Sequence, residues 1–189
     1  MVSACKSDVP GQPSASSSST STAAPSSNGH ESHTKAPRVA SPLEPAKYVE
    51  SPCTTLTQEQ QQEFNVRGPG TPQDVEGDPS CRWEIGSNGD TSISLTFARK
   101  LPDGLSHLYA LDETGWWKNG YFEPATVSGY PAVYNGISDL RDGGSCGIST
   151  AATDTMFFSV DLQARPGNDS CVAAKNVATA VIETIKKGA

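Results

Sequence analysis

Four cysteines, Cys53, Cys81, Cys146 and Cys171, are spread along the chain after a long cysteine-poor stretch, and they constrain its fold more than any other residues. Three chemistries use cysteine in this number. A zinc site needs close pairs of ligands, and the sequence holds neither C-x-x-C nor H-x-x-x-H. A catalytic thiol needs a base beside it, and from Tyr48 onward the sole histidine is His107. Disulfides remain, and an exported domain with four cysteines is expected to carry two of them. Sequence alone leaves all three pairings of four cysteines open.

The fifth cysteine, Cys5, stands apart in a different kind of sequence. Val2-Ser3-Ala4 precedes it, an aliphatic residue and two small ones, which resembles a bacterial lipobox. In a lipobox the thiol takes a diacylglycerol and the cysteine becomes the mature N-terminus. The expectation is therefore lipidation at Cys5 and a lipoprotein on the outer face of the cell membrane. The basic and apolar signal segment that belongs before a lipobox is missing, so Met1 is read as an added or misplaced start. From Gly11 to Asn28 the chain reads GQPSASSSSTSTAAPSSN, without one large apolar residue. Such a stretch cannot offset the entropy of ordering and is expected to be a tether. About 40 such residues reach roughly 35 Å. The boundary is placed at 1–47 for the lipobox remnant and the Ser/Thr/Pro-rich tether, and 48–189 for a single domain.

Composition agrees with a folded part diluted by a tail. Apolar residues are 35% and charged residues 19% of 189, both below globular averages of roughly 45–50% and about 25%. Lys6, Lys35, Arg38 and Lys47 against Asp8, Glu31 and Glu44 give the first 47 residues a net +1. With −7 for the whole chain, the remainder carries −8. An acidic domain excludes the nucleic-acid binders, which need a basic face. No run of about 18 apolar residues is present to span a bilayer.

Thr57 with Gln60 forms a capping box, which predicts a short helix over residues 58–64. The Gly-Pro-rich segment that follows, as far as Pro79, reads as a polar loop. Cys81, Trp83 and Ile85 alternate with Arg82 and Glu84, and Ile93, Leu95 and Phe97 with Ser94 and Thr96. Asn88-Gly89 between them predicts a hairpin. Leu105, Leu108, Tyr109 and Leu111 predict a helix. Strands follow near 121–127 and 130–135, and a second hairpin over 146–151 and 156–163. Asp169 caps a last helix, in which Ala174, Val177, Ala178, Val181, Ile182 and Ile185 fall on one face. The fold class is α+β, an antiparallel sheet flanked by an N-terminal and a C-terminal helix, with two disulfides.

One ordered set of residues resembles a known family: Ser51-Pro52-Cys53 with Leu56-Thr57, Cys81-Arg82-Trp83, Phe122-Glu123, Gly129-Tyr130-Pro131-Ala132-Val133, Cys146, and Asp169-Ser170-Cys171 opening an alanine-rich helix. The set is similar to the domain-of-unknown-function family 3558, lipoproteins of actinobacteria, over about residues 48–185. Glu50 departs from it, where an Asp is expected just before the Pro-Cys pair. The resemblance implies a lipid-anchored protein without an established reaction, and a fold similar to the PsbP/Mog1-like class. Some members of that class are extracellular sensor domains of kinases, with two disulfides beside a cleft. With the resemblance in hand, the expected pairing is Cys53 with Cys171 and Cys81 with Cys146, the second tying two strands together.

The remaining candidates are few. His107, with Asp103 and Asp112 near it in sequence, lacks a G-x-S-x-G nucleophile and reads as a half-exposed helix residue. Asp74, Glu76 and Asp78 fail the calcium-loop pattern, since Pro79 and Ile85 stand where Gly and Glu are required. Asp139 and Asp142 form another loose acidic pair. No metal site and no cofactor are expected. In the densest aromatic stretch, Trp117 and Phe122 are assigned to the core, and Trp116 and Tyr121 are left as a candidate ligand-binding platform. Asn168-Asp169-Ser170 matches an N-glycosylation sequon, but helix capping accounts for it. The Ser/Thr-rich tail is the better glycosylation candidate, because some actinobacteria O-mannosylate such linkers. The expected function is a non-enzymatic, sensor-like envelope module for an unidentified small ligand or protein partner. The alternatives are a structural accessory of a secretion or wall-assembly complex and an envelope hydrolase.

Overall fold

A computed structural model describes residues 35–188. Cys5, the Ser/Thr-rich stretch, His30 and His33 lie outside the described residues. Helix α1 (Ala46–Glu50), a 3-10 turn (Pro52–Thr54) and α2 (Gln58–Glu63) lead into three strands, β1 (Thr71–Val75), β2 (Asp78–Ile85) and β3 (Thr91–Ala98). Helix α3 (Ser106–Glu113) precedes four more, β4 (Tyr121–Val127), β5 (Tyr130–Gly136), β6 (Ser145–Thr153) and β7 (Met156–Gln163). Helix α4 (Ser170–Lys187) closes the chain. The strands form one antiparallel sheet in the order β1-β2-β3-β7-β6-β5-β4. This is the α+β architecture expected, with both disulfides present.

The alternating pattern decides which face is buried. In a strand, every second side chain shares a face. The register sets Cys81 beside Leu95, Leu95 beside Val160, and Val160 beside Ile148, so one face collects the apolar set. Helix α4 packs on that face over β6 and β7 and buries Ala174, Val177, Ala178, Val181, Ile182 and Ile185 against it. Asp169 begins α4 by accepting a hydrogen bond from the Val172 N–H at 3.0 Å. At its other end Lys186 and Lys187 meet the negative pole of the helix dipole. The capping box of α2 is formed as the sequence predicts: Thr57 Oγ1 accepts from the Gln60 N–H, and Gln60 Oε1 from the Thr57 N–H. Gly89 takes the positive φ, 67°, that the β2–β3 hairpin turn requires.

Three expectations are corrected. The segment before Pro79 is not a loop, because β1 pairs with β2 from Thr71 to Val75. All five residues of β1 are exposed, so it lacks the apolar alternation that marks a strand, and at a sheet edge Pro72 is tolerated. The packed domain also starts earlier than Tyr48. Val39 and Leu43 are buried in the core, and the Leu43 N–H donates to the Ala152 carbonyl at 2.9 Å. Isolated apolar residues among prolines and serines carry no periodicity, so this strap reads as tether.

The third correction is the disulfide pairing. Cys53 is joined to Cys81 and Cys146 to Cys171. Strand order explains why Cys81 cannot reach Cys146. Strands β3 and β7 stand between β2 and β6, which puts the two Cα atoms roughly 14 Å apart at about 4.8 Å per strand, whereas a disulfide needs about 4.4–6.8 Å. The actual Cα separations are 5.1 and 5.0 Å. One bridge ties the turn after α1 to β2, and the other ties β6 to the first turn of α4. They close loops of 28 and 25 residues, each contributing about 3.5 kcal/mol in the chain-entropy model.

Tryptic digestion without reduction should therefore yield peptide 48–67 joined to 68–82, and peptide 142–175 with an internal bridge. Recovery of 48–67 or 68–82 joined to 142–175 would contradict the pairing. Replacing Cys53 and Cys81 together by Ala should lower the unfolding free energy by about 3 kcal/mol, read from the urea midpoint.

Candidate functional site

The second face of the sheet is built from the polar half of the same alternation. Arg82, Ser94, Asp161 and Gly147 lie in one row across β2, β3, β7 and β6. The next row toward the hairpin end of β6 and β7 is Ser80, Thr96, Ser159 and Ser149. These hydroxyls are largely engaged with one another. Ser80 Oγ donates to the Leu95 carbonyl at 2.7 Å and accepts from Thr96 Oγ1 at 3.0 Å. Ser149 Oγ donates to Asn135 Oδ1 at 2.9 Å and lies 2.8 Å from Ser159 Oγ. Helix α3 and Trp117 cover the adjoining part of this face. Trp117 stacks on Phe122 at 5.9 Å, and Tyr109 meets Phe122 edge-on at 5.0 Å. The row through Asp161 is left open.

Asp161 differs from its neighbours. Among the described residues no hydrogen bond or ion pair reaches its carboxylate. Its side chain opens to solvent, yet the surrounding sheet desolvates it and pushes the carboxyl above the usual aspartate range. Gly147, its register partner, leaves space for it. A methyl group on Gly147 would come within 2.8 Å of Asp161 Oδ1 and 2.9 Å of the Asn135 carbonyl oxygen.

Beside Asp161 the sheet splays. Pairing of β5 with β6 stops at Tyr134 and Ile148, leaving the Gly147 N–H without a strand partner. Tyr121 fills the gap: the Gly147 N–H donates to its hydroxyl at 2.9 Å, and burial raises the phenol above its ordinary value. Arg141 lies over the Tyr121 ring, 4.2 Å from its centroid, held there by ion pairs to Asp139 at 2.6 Å and Glu123 at 2.8 Å. This arrangement holds the Asp139 carboxyl down at about 2. Between Tyr121, the loop after β5 and the Gly147–Asp161 pair is a cavity of about 280 Å³. Asn135 and Gln163 contribute amides to it, and the exposed Ile137 and Leu140 form an apolar wall.

The sequence candidates are placed as follows. Trp117 is buried and Phe122 half-buried, in the core as assigned. Tyr121 is buried at the cavity, whereas Trp116 is 58% exposed on the loop after α3 and does not line it. The two therefore do not make one exposed platform. His107 is half-buried and lines a separate pocket of about 380 Å³ with Asp103, Asp154 and the strap residues Lys35–Val39. The loop acids have local tasks. Asp74 accepts from the Gly77 N–H in the β1–β2 turn, and Asp78 accepts from the Arg99 N–H at 3.1 Å. Among the described residues no cluster of three His, Cys, Asp or Glu could hold a metal ion. No described helix is long and apolar enough to cross a membrane. Sequence reasoning missed Asp161, Gly147, Asn135 and Gln163. Asp161 and Gln163 alternate visibly with Val160 and Leu162, but their convergence depends on the β3–β7 and β5–β6 pairings.

A family model described as "Protein of unknown function (DUF3558)" matches residues 1–184, and the chain belongs to that family. No curated protein matches it.

The unpartnered carboxylate makes a stability prediction. Its folded pKa lies above the unfolded one, so the native state binds the proton more tightly. The penalty is absent below the unfolded value and fully present above the folded one. Asp161→Asn should thus be more stable than the parent at pH 7, and the gain should vanish below about pH 4. Urea midpoints at both pH values check this, and a gain that persists in acid would contradict it.

Proposed function

Starting from membership of that family, we propose that the protein is a lipid-anchored, non-enzymatic module of the cell envelope that binds a small ligand on the open half of its sheet. The observation that carries this reading is the cavity at Asp161, where a carboxylate without a partner, the amides of Asn135 and Gln163 and an apolar wall converge. Cavities that combine a mostly apolar lining with a few fixed polar groups are the usual form of ligand sites. At about 280 Å³ it suits a molecule smaller than a typical drug-sized ligand.

The envelope location rests on other features. V-S-A-C at the start, the Ser/Thr-rich stretch after it and two disulfides all suit export and anchoring through Cys5. The actinobacterial lipoproteins that the sequence resembles and the disulfide-bearing PsbP/Mog1-like sensor domains fit the same reading by analogy.

One observation favours a second reading, an accessory of a larger envelope assembly. Trp116 is exposed at 58%, and solvent-facing tryptophans are frequent anchors of protein interfaces. The hydrolase reading has only His107: Ser106 shares its pocket, but that hydroxyl accepts from the Ala36 N–H at 3.2 Å, and among the described residues no hydroxyl is hydrogen-bonded to the imidazole.

Native mass spectrometry of the full chain, after incubation with an envelope extract of its host, separates the two readings. The ligand reading expects a reproducible added mass below about 1 kDa that Asp161→Asn reduces and Trp116→Ala leaves in place. No added mass on the intact, disulfide-bonded chain would overturn it. Loss of an envelope cross-link in Trp116→Ala would then establish the assembly reading.

A further inference from the structure

We propose that the ligand of this cavity carries an ammonium group and that Asp161 is the residue that holds it. The inference rests on the reading of the open sheet face as the binding site and specifies its chemistry. The cations around this face are already engaged elsewhere. Arg141, whose guanidinium carbon lies 4.2 Å from the Tyr121 ring centroid, is spent on Asp139 and Glu123. Arg165 is paired with Asp90. Arg82 shares the row of Asp161 but is separated from it by β3, roughly 10 Å along the sheet, and approaches Glu84 at 3.9 Å instead. Asp161 is therefore left with a charge that the described residues do not neutralise.

The other classes of ligand fit less well. An anion would meet that carboxylate on a domain of net charge −8. A hard divalent cation takes six or more oxygens, several of them charged, and only one carboxylate reaches the cavity. A neutral polyol would suit the amides but bring no counter-charge to Asp161. An ammonium group supplies the counter-charge and up to three donors. Asp161 and Asn135 Oδ1 are acceptors on this face, and Gly147 lets the carboxylate lie close against the sheet. Ile137 and Leu140, exposed at 65% and 59%, offer apolar contact to whatever extends from the nitrogen. The site thus selects a small amphipathic amine.

The test is a titration of the isotope-labelled full chain, followed by amide resonances, with phenethylammonium and with its neutral counterpart 2-phenylethanol. Phenethylammonium should shift the amides of Gly147, Asn135 and Gln163 in a saturable way. The alcohol should bind at least about tenfold more weakly, the worth of one charge-assisted hydrogen bond. Asp161→Asn should lose a similar factor, while Glu183→Gln on α4, across the sheet, should change nothing. Absence of saturable shifts, equal binding of the alcohol, or binding unaffected by Asp161→Asn would overturn the proposal. If a mass from the envelope extract still adds to the chain and shifts the same amides, the binding module stands and only its ammonium specificity falls.

Discussion

The pairing of β3 with β7 is the contact on which everything else rests. Without it the chain would be two separate meanders, β1–β2–β3 and β4 to β7, neither with enough of an apolar face to close a core. Seven register pairs from Ser92–Gln163 to Ala98–Phe157 join them. These partners are far apart in sequence, so the pairing carries a large loop-closure cost and needs strong side-chain reward. The reward lies on the α4 face, where Ile93, Leu95 and Phe97 meet Leu162, Val160 and Phe158. Phe97 and Phe158 lie edge to face at 6.1 Å. The same pairing brings Ser94 beside Asp161 on the other face. One register thus creates both the core and the polar row of the candidate site.

The two disulfides reinforce this arrangement from its flanks. Neither crosses the β3–β7 seam. Cys53–Cys81 secures the N-terminal turn to the first meander, and Cys146–Cys171 secures α4 to the second. Each half is stapled locally, and across the seam the halves are held by hydrogen bonds, packing and the Arg165–Asp90 ion pair. Tyr121 continues the second staple: its hydroxyl lies 3.8 Å from Cys146 Sγ and receives the Gly147 N–H. The wall of the cavity is thereby tied to the bridge that positions α4, which fixes the cavity without a helix lying over it.

Much of the fold was legible because local signals and tertiary contacts agree. The Thr57–Gln60 box, the Asn88-Gly89 turn and the stripe of α4 each act within a few residues, and each forms as predicted. What failed depended on distant partners. β1 has no inward-facing apolar residue, so only its neighbour β2 makes it a strand. Val39 and Leu43 are single apolar residues whose burial depends on where the strap runs. The disulfide pairing depends on strand order, which no local pattern encodes. The site was read halfway: Tyr121 was singled out for its aromatic ring, but it serves through its hydroxyl. Asp161 looked like an ordinary outward residue of an alternating strand, because periodicity tells which face a residue takes and not what covers that face.

Elsewhere on this face the polar groups answer one another, as Ser80 does Thr96 and Ser149 does Asn135. A serine or an asparagine at residue 161 could have joined that network without desolvating a charge. Instead the sheet carries an aspartate whose ionised form it disfavours, opposite a glycine. The Asn135 carbonyl demands the glycine, but nothing in the packing demands the carboxylate, and a stability cost that one substitution would remove is the pattern expected where something other than stability sets the residue choice.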